Sequence, residues 1–215
     1  MRLLMVGPPG AGKGTQAARL ASRYGIAHLS SGELFRQEVA SGTPIGREAA
    51  RYLARGDLVP DEIAIEMLLG PALAAARRGG YVLDGFPRTV RQAEEAYRVA
   101  RQIEGVELQA VVNLRVGRPV LLARLRARGG RQARSDDDEA TALHRLDVFD
   151  SLTAPVVGFY AGRGLVIDVN GEQAADGVLA DIVAAIDGLR PGREGGAGAS
   201  RGGGPADEAG EGVKL

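Results

Sequence analysis

Apolar residues fall along this chain in two alternating rhythms. Five short runs, Leu3–Val6, Ala27–Leu29, Tyr81–Leu83, Ala110–Leu114 and Leu165–Val169, have the length of buried strands. Between them lie longer stretches in which apolar positions recur every three or four residues, the period of a helix with one buried face. These predict helices over Gly14–Tyr24, Gly32–Val39, Pro44–Ala54, Asp61–Arg77, Val90–Ile103, Pro119–Arg126, Glu139–Tyr160 and Ala175–Leu189. Several starts carry their own signal. Ser30 with Glu33 reads as a capping box, and Pro44, Asp61 and Pro119 stand where helices open. Pro155 has no amide hydrogen, so the long helix around it is expected to bend or break. Strands separated by helical crossovers imply an α/β fold with a five-stranded parallel sheet covered on both faces. Such sheets bind ligands at the carboxyl ends of their strands.

Composition narrows the chemistry. The 215 residues include no Cys, which removes disulfides, cysteine-bound zinc, iron–sulfur clusters and thiol catalysis together. His28 and His144 are too far apart in sequence to suggest a paired metal site and are read as structural. Lys and Arg number 27 against 27 Asp and Glu, which argues against a protein that coats nucleic acid or an anionic membrane. The apolar runs are too short for the roughly 20 residues of a membrane span. The N-terminal run stops at Gly7, short of the roughly 7–15 residues of an export signal, so a cytoplasmic location is expected. Pro191–Leu215 hold nine glycines and almost no large apolar side chains. That composition predicts a disordered tail, leaving 1–190 as the folded body.

After the first strand comes Gly7-Pro8-Pro9-Gly10-Ala11-Gly12-Lys13-Gly14-Thr15. Glycines let successive backbone N–H groups turn toward a phosphate, Lys13 adds a mobile charge, and the next helix points its N-terminus at the same anion. The spacing matches a Walker A loop through Lys13, with Gly14 in the usual Ser/Thr place and Thr15 one residue later. A plain Gly-Pro turn is the bland alternative, but strand and helix both stand where the motif requires them. A second motif, Asp84-Gly85-Phe86-Pro87-Arg88, follows the third strand. Asp84 there fits the role of holding Mg²⁺ through water, Thr15 being a second candidate for the metal, and Arg88 can fork onto a phosphate. From Arg115 to Arg134 there are seven arginines and no acidic residue, followed at once by Asp136-Asp137-Asp138-Glu139. A solvated basic helix would account for this stretch, yet it lacks the aromatic residues that stack on bases. An arginine-rich flap closing over a phosphoryl-transfer site accounts for it better.

The segment Gly7 to Gln16 resembles the phosphate loop of adenylate kinases, in which the displaced threonine is usual. Leu29 to Arg36 resembles that family's AMP-receiving stretch, Asp57-Leu58-Val59-Pro60 the loop flanking adenine, and Asp84–Thr89 with Gln92 its AMP signature. Leu121 to Arg128 is similar to the helix entering the lid, Arg134-Ser135-Asp136-Asp137 to the lid exit, and His144-Arg145-Leu146 to a later Lys-Arg-Leu element. The resemblance implies a P-loop three-layer fold with a small helical AMP-binding insertion at about 30–59 and a short lid at about 127–138. By the same resemblance Gly10, Ala11, Gly12, Lys13, Gly14, Thr15, Arg128 and Gly171 would bind ATP. Ser31, Arg36, Asp57, Leu58, Val59, Gly85, Phe86, Pro87, Arg88, Gln92, Arg134 and Arg145 would bind AMP. Lys13, Arg88, Arg124, Arg134 and Arg145 would be catalytic. The lid-exit arginine is read at Arg134, which precedes the aspartates, with Arg131 the other candidate. The long, zinc-bound lid of other members is missing, so no zinc is expected. The implied activity is Mg·ATP plus AMP giving two ADP, by a monomer with no nucleic-acid or membrane partner. Competing readings are a UMP/CMP- or dTMP-type nucleoside monophosphate kinase, and a nucleotide-binding module without turnover.

Overall fold

The computed structural model describes residues 1–129 and 139–189. The expected tail and most of the expected lid, with Arg131 and Arg134, lie outside the described residues, as does the side chain of Arg128. Five strands, β1 (Arg2–Val6), β2 (Ala27–Ser30), β3 (Tyr81–Asp84), β4 (Ala110–Arg115) and β5 (Val166–Asn170), form one sheet. Every neighbouring pair is parallel and the order is β2-β3-β1-β4-β5. The helices are α1 (Lys13–Tyr24), α2 (Ser31–Ala40), α3 (Pro44–Arg55), α4 (Asp61–Arg77), α5 (Val90–Ala100), α6 (Arg118–Gly129), α7 (Glu139–Val148), α8 (Ala154–Ala161) and α9 (Ala175–Gly188). The strand runs look continuous in sequence because both sheet faces are buried, but in space they split with period two. Leu3, Met5, Val82, Val112 and Leu114 pack on one face with Leu20 of α1 and Val178 and Ile182 of α9. Leu4, Val6, Leu83 and Val111 pack on the other with Leu68 of α4, Ala93 of α5 and Val156 and Tyr160 of α8. Burying one such Leu or Val contributes about 1.5–3 kcal/mol. Burial pushes the Tyr81 phenol up to about 12.

Helix starts follow the local chemistry. Ser30 Oγ accepts from Glu33 N (3.4 Å), Thr43 Oγ1 from Gly46 N (3.0 Å) and Thr89 Oγ1 from Gln92 N (3.1 Å). Three helices differ from expectation by more than a residue or two, the first being α6, which runs on to Gly129 rather than ending at Arg126. α5 stops at Ala100 rather than Ile103, because after the last α-type bond, Arg101 N to Tyr97 O, the chain tightens and Gln102 N and Ile103 N donate three residues back to Val99 O and Ala100 O. Ile103 packs on the core from beyond the helix, which is why its apolar signal extends the predicted span. The expected helix Glu139–Tyr160 is two helices joined by a π-helical turn at Phe149–Thr153. The departure comes before Pro155 because the proline ring would collide with the carbonyl of residue 151 in an ordinary α-turn, and a widened turn clears it.

The connection leaving β1 runs to one side of the sheet and the one leaving β4 to the other. Where they diverge, the carboxyl end of β1 opens into the glycine-rich loop, and this topological switch point is the expected place for a ligand.

Candidate active site

The loop leaves β1 at Gly7, whose φ is +150°. A Cβ there would stand 2.9 Å from the Leu114 carbonyl oxygen of β4, so the strand exit has room for glycine alone. Ala11 N donates to Pro8 O (3.1 Å) and Lys13 Nζ to the same oxygen (3.1 Å), which holds the ammonium over the loop. Gly10 lies against Leu121 and Leu125 of α6. α1 opens on Gly12 with no side-chain cap and no acidic residue in its first turn, whereas α2, α3 and α5 are capped by Ser30, Thr43 and Thr89. Its first N–H groups are therefore left for an anion. Gly14 and Thr15 are exposed in that first turn.

Asp84, at the end of β3, pairs in register with Met5 of β1 and Ser30 of β2. Its carboxylate borders the start of α1, where a Cβ on Gly14 would lie 3.3 Å from Asp84 Oδ2. A side chain at position 14 would therefore press on that carboxylate. One hard carboxylate beside a phosphate loop suits Mg²⁺, which keeps several waters and leans on substrate phosphates rather than on a protein cage. Among the described residues there is no group of three or more His, Cys, Asp or Glu placed to hold an ion.

Arginines from three elements converge here. Lys13, Gly85, Pro87, Arg88, Leu58 and Arg145 of α7 line one small cavity. Arg88 donates from Nε to Gly85 O (2.7 Å). Burial holds the Arg88 guanidinium below its ordinary value, with Asp84 pulling it back up and Arg145 and Arg36 pushing it further down. The Arg88 guanidinium thus lies within electrostatic reach of two further guanidiniums and of the Asp84 carboxylate, and guanidinium forks suit phosphate. Arg36 itself lies over Gly32, one turn back on α2.

A second cavity adjoins this cluster, lined by Ser31, Asp57, Leu58, Val59, Gly85, Phe86, Arg88 and Gln92. These eight belong to the expected AMP set, and Gly32, Phe35, Leu53 and Ala64, which do not, complete the lining. Ser31, 3% exposed, donates its hydroxyl to Gly85 O (2.6 Å) and so ties α2 to the end of β3. Gln92, 2% exposed, donates from Nε2 to Asp61 Oδ1 (2.7 Å) and accepts at Oε1 from Arg88 N (2.7 Å). Asp57 is held from across the fold: His144 Nε2 is 2.7 Å from Oδ1, and Arg55 Nε donates to Oδ2 (2.9 Å). His144, expected to be structural, thus joins α7 to the loop of the acceptor cavity.

On the other side of the loop a cavity of about 940 Å³ is lined by Pro8, Leu114–Arg118, Leu121, Asn170 and Glu172, among others. Such a volume suits a nucleotide. Gly171 borders it at the exit of β5, with its N–H donating to Arg115 O (2.8 Å). A Cβ there would lie 3.6 Å from the Ala11 carbonyl oxygen, so the β5 exit and the phosphate loop run side by side. Gln16 Nε2 fixes that neighbourhood from α1 by donating to Ala175 O (2.9 Å). Arg124 is half-buried on α6. Arg134 and the Arg128 side chain lie outside the described residues. Sequence reasoning did not bring Asp61 to the acceptor cavity, which it reaches through Gln92. Its position suggests a helix opener and nothing more, and its contact with Gln92 exists only in space.

Comparison with known proteins agrees with this geometry. A model of the adenylate kinase family matches residues 5–165. The adenylate kinase of Kocuria rhizophila is 46% identical over 186 residues, covering 86% of this chain and 98% of the relative. That of a Synechococcus species is 45% identical over 190 residues, covering 88% and 97%, and that of Xanthomonas campestris 45% over 186 residues, covering 86% and 99%. With a family model matching residues 5–165 and relatives near 45% identity covered almost end to end, the chain belongs to the adenylate kinase family of phosphotransferases.

Proposed function

We propose that the chain transfers the terminal phosphoryl group of Mg·ATP to AMP, reversibly giving two ADP. The observation that carries this is the meeting of Lys13, Arg88 and Arg145 in one cavity between the phosphate loop and the acceptor cavity. Gly10–Thr15 would cradle the ATP phosphates, with Arg124 and Arg128 on them and Gly171 near the adenine. Arg36 and Arg88 would hold the AMP phosphate, and Gln92 with Ser31 and Asp57–Val59 would enclose its base. An AMP phosphate oxygen attacks the γ-phosphorus as the bond to ADP breaks. Lys13 and Arg145, with Arg134 in the lid, would hold the charge spread over the moving group. Asp84 and Thr15 would hold Mg²⁺, which when bound neutralises charge on the ATP phosphates. Residues about 30–59 and 127–138 would close as two clamps on a core that extends to 190, excluding water from the transfer. We place the protein in the cytoplasm as a monomer without nucleic-acid or membrane partners. The balance of 27 basic and 27 acidic residues supports the last point, and among the described residues no helix is long and apolar enough to cross a membrane.

ADP formation measured with Mg·ATP and each of AMP, CMP, UMP, GMP and dTMP tests the reading. AMP should be much the best acceptor, whereas comparable rates with CMP and UMP would point to the UMP/CMP type. Lys13→Met and Arg88→Ala should each lower turnover about a hundredfold or more. Near-normal turnover would remove that residue from its role.

A further inference from the structure

The acceptor cavity presents a buried amide whose orientation is locked from both ends. Gln92 Nε2 donates to Asp61 Oδ1, 31 positions earlier in the chain, and Oε1 accepts from the Arg88 backbone N–H, both at 2.7 Å. Asp61 also receives the Thr89 hydroxyl, 3.1 and 3.0 Å from its two oxygens, while Thr89 Oγ1 accepts from Gln92 N. A carboxylate only accepts and a backbone N–H only donates. Turned over, the amide would set its oxygen against the carboxylate and its NH₂ against the N–H, two repulsive contacts in place of two hydrogen bonds. Once these two bonds are made, the amide keeps one N–H and one acceptor lone pair for the cavity it lines.

We propose that Asp61 is a specificity-determining positioning residue, which by fixing the Gln92 amide selects an acceptor base with an amino donor beside a ring-nitrogen acceptor over one with those two roles exchanged. A 6-aminopurine has the first pattern and a 6-oxopurine the second. Asp61 acts through Gln92 and touches no substrate. The proposal rests on Gln92 contacting the acceptor base, as read above.

The test compares kcat/KM for AMP with that for IMP, which differs at the positions in question and keeps the same ribose phosphate. In Asp61→Asn the new amide can meet Gln92 Nε2 or Oε1, which leaves the Arg88 N–H as the remaining brake on the reversed orientation. The AMP:IMP ratio should fall about tenfold or more, within the range of a good bidentate contact to a base, with KM for Mg·ATP unchanged. Asp61→Glu, which keeps a carboxylate, should hold the preference for AMP. Thr89→Val removes the α5 cap and one donor to Asp61 but leaves the Asp61–Gln92 bond, so it should lower thermal stability and keep the ratio. Gln92→Ala separates the two claims. If it lowers the ratio while Asp61→Asn does not, the base contact stands and the role of Asp61 is overturned. If Gln92→Ala leaves the ratio unchanged, the base contact falls and the proposal with it. Should Asp61→Asn fail to fold, hydrogen exchange on the unaltered protein decides. One Nε2 proton of Gln92 should be protected from water, and equal rapid exchange of both overturns the lock.

Discussion

His144 and Asp57 are 87 positions apart, and their hydrogen bond links the helix carrying Arg145 to the loop of the acceptor cavity. The Asp57 carboxyl is held below its usual value first by that bond and then by Arg55. A carboxyl depressed in the folded state stabilises the fold above its ordinary value, about 3.9, and loses that contribution as pH falls through the lower folded value. His144→Ala should therefore raise the Asp57 titration midpoint toward the ordinary value, as followed by the carboxyl ¹³C shift, and so lower stability near neutral pH while leaving less of it to be lost on acidification. An unmoved midpoint would detach His144 from Asp57. Neither residue announces this in the sequence, because the choice of partner is made by the packing of α7 on residues 55–58, where a Cβ on Gly56 would meet Arg145 and Thr141. The phosphate loop is legible in sequence for the opposite reason. Every part of it, from Gly7 to Thr15, lies within one strand exit and one helix start, so spacing along the chain is spacing in the site.

At the scale of elements, α2 and α3 form a tight corner. A Cβ on Gly46 would lie 2.0 Å from the Glu38 carbonyl oxygen, a backbone atom that cannot swing aside. Thr43 closes the corner, donating to Glu38 Oε2 (2.5 Å) and accepting from Gly46 N (3.0 Å). Gly46→Ala should force the two helices apart and cost about 1–3 kcal/mol of stability by overpacking. Because α2 carries Ser31 and Arg36, KM for AMP should rise several-fold while KM for Mg·ATP stays near its original value. Equal effects on both substrates in steady-state kinetics would argue against α2–α3 as a separate acceptor clamp. The helix starts are legible in sequence because Ser30, Thr43 and Thr89 cap locally. The end of α5 is not, and of the break that Pro155 leads one to expect only the exact place is hidden. Ile103 serves the core from outside a helix, and the proline acts on the turn that precedes it.

Across the whole molecule, the chain between α7 and α8 passes from one core to the other. Ala142 and Leu146 of α7 belong to the face that holds α1 and α9, whereas Val156 and Tyr160 of α8 belong to the face that holds α4 and α5. The five-residue turn between them lies beside the phosphate loop, with Phe149 and Thr153 lining the cavity of Lys13 and Arg88. Sequence periodicity shows that both helices have apolar faces but not that the faces look in different directions, since one apolar stripe reads much like another until the sheet separates them. Each residue of chain length turns a helix by about 100° and advances it 1.5 Å. Deleting Ser151 would therefore take away the extra residue of the widened turn that clears Pro155 and would rotate Val156 and Tyr160 out of their core. The loss should be at least about 3 kcal/mol in thermal or denaturant unfolding. Ser151→Ala, which removes an exposed hydroxyl bonded to Asp147 O and Val148 O, should be nearly neutral by comparison. Residues 149–153 thus act as a phase setting as much as a set of side chains, able to drift in identity while fixed in length.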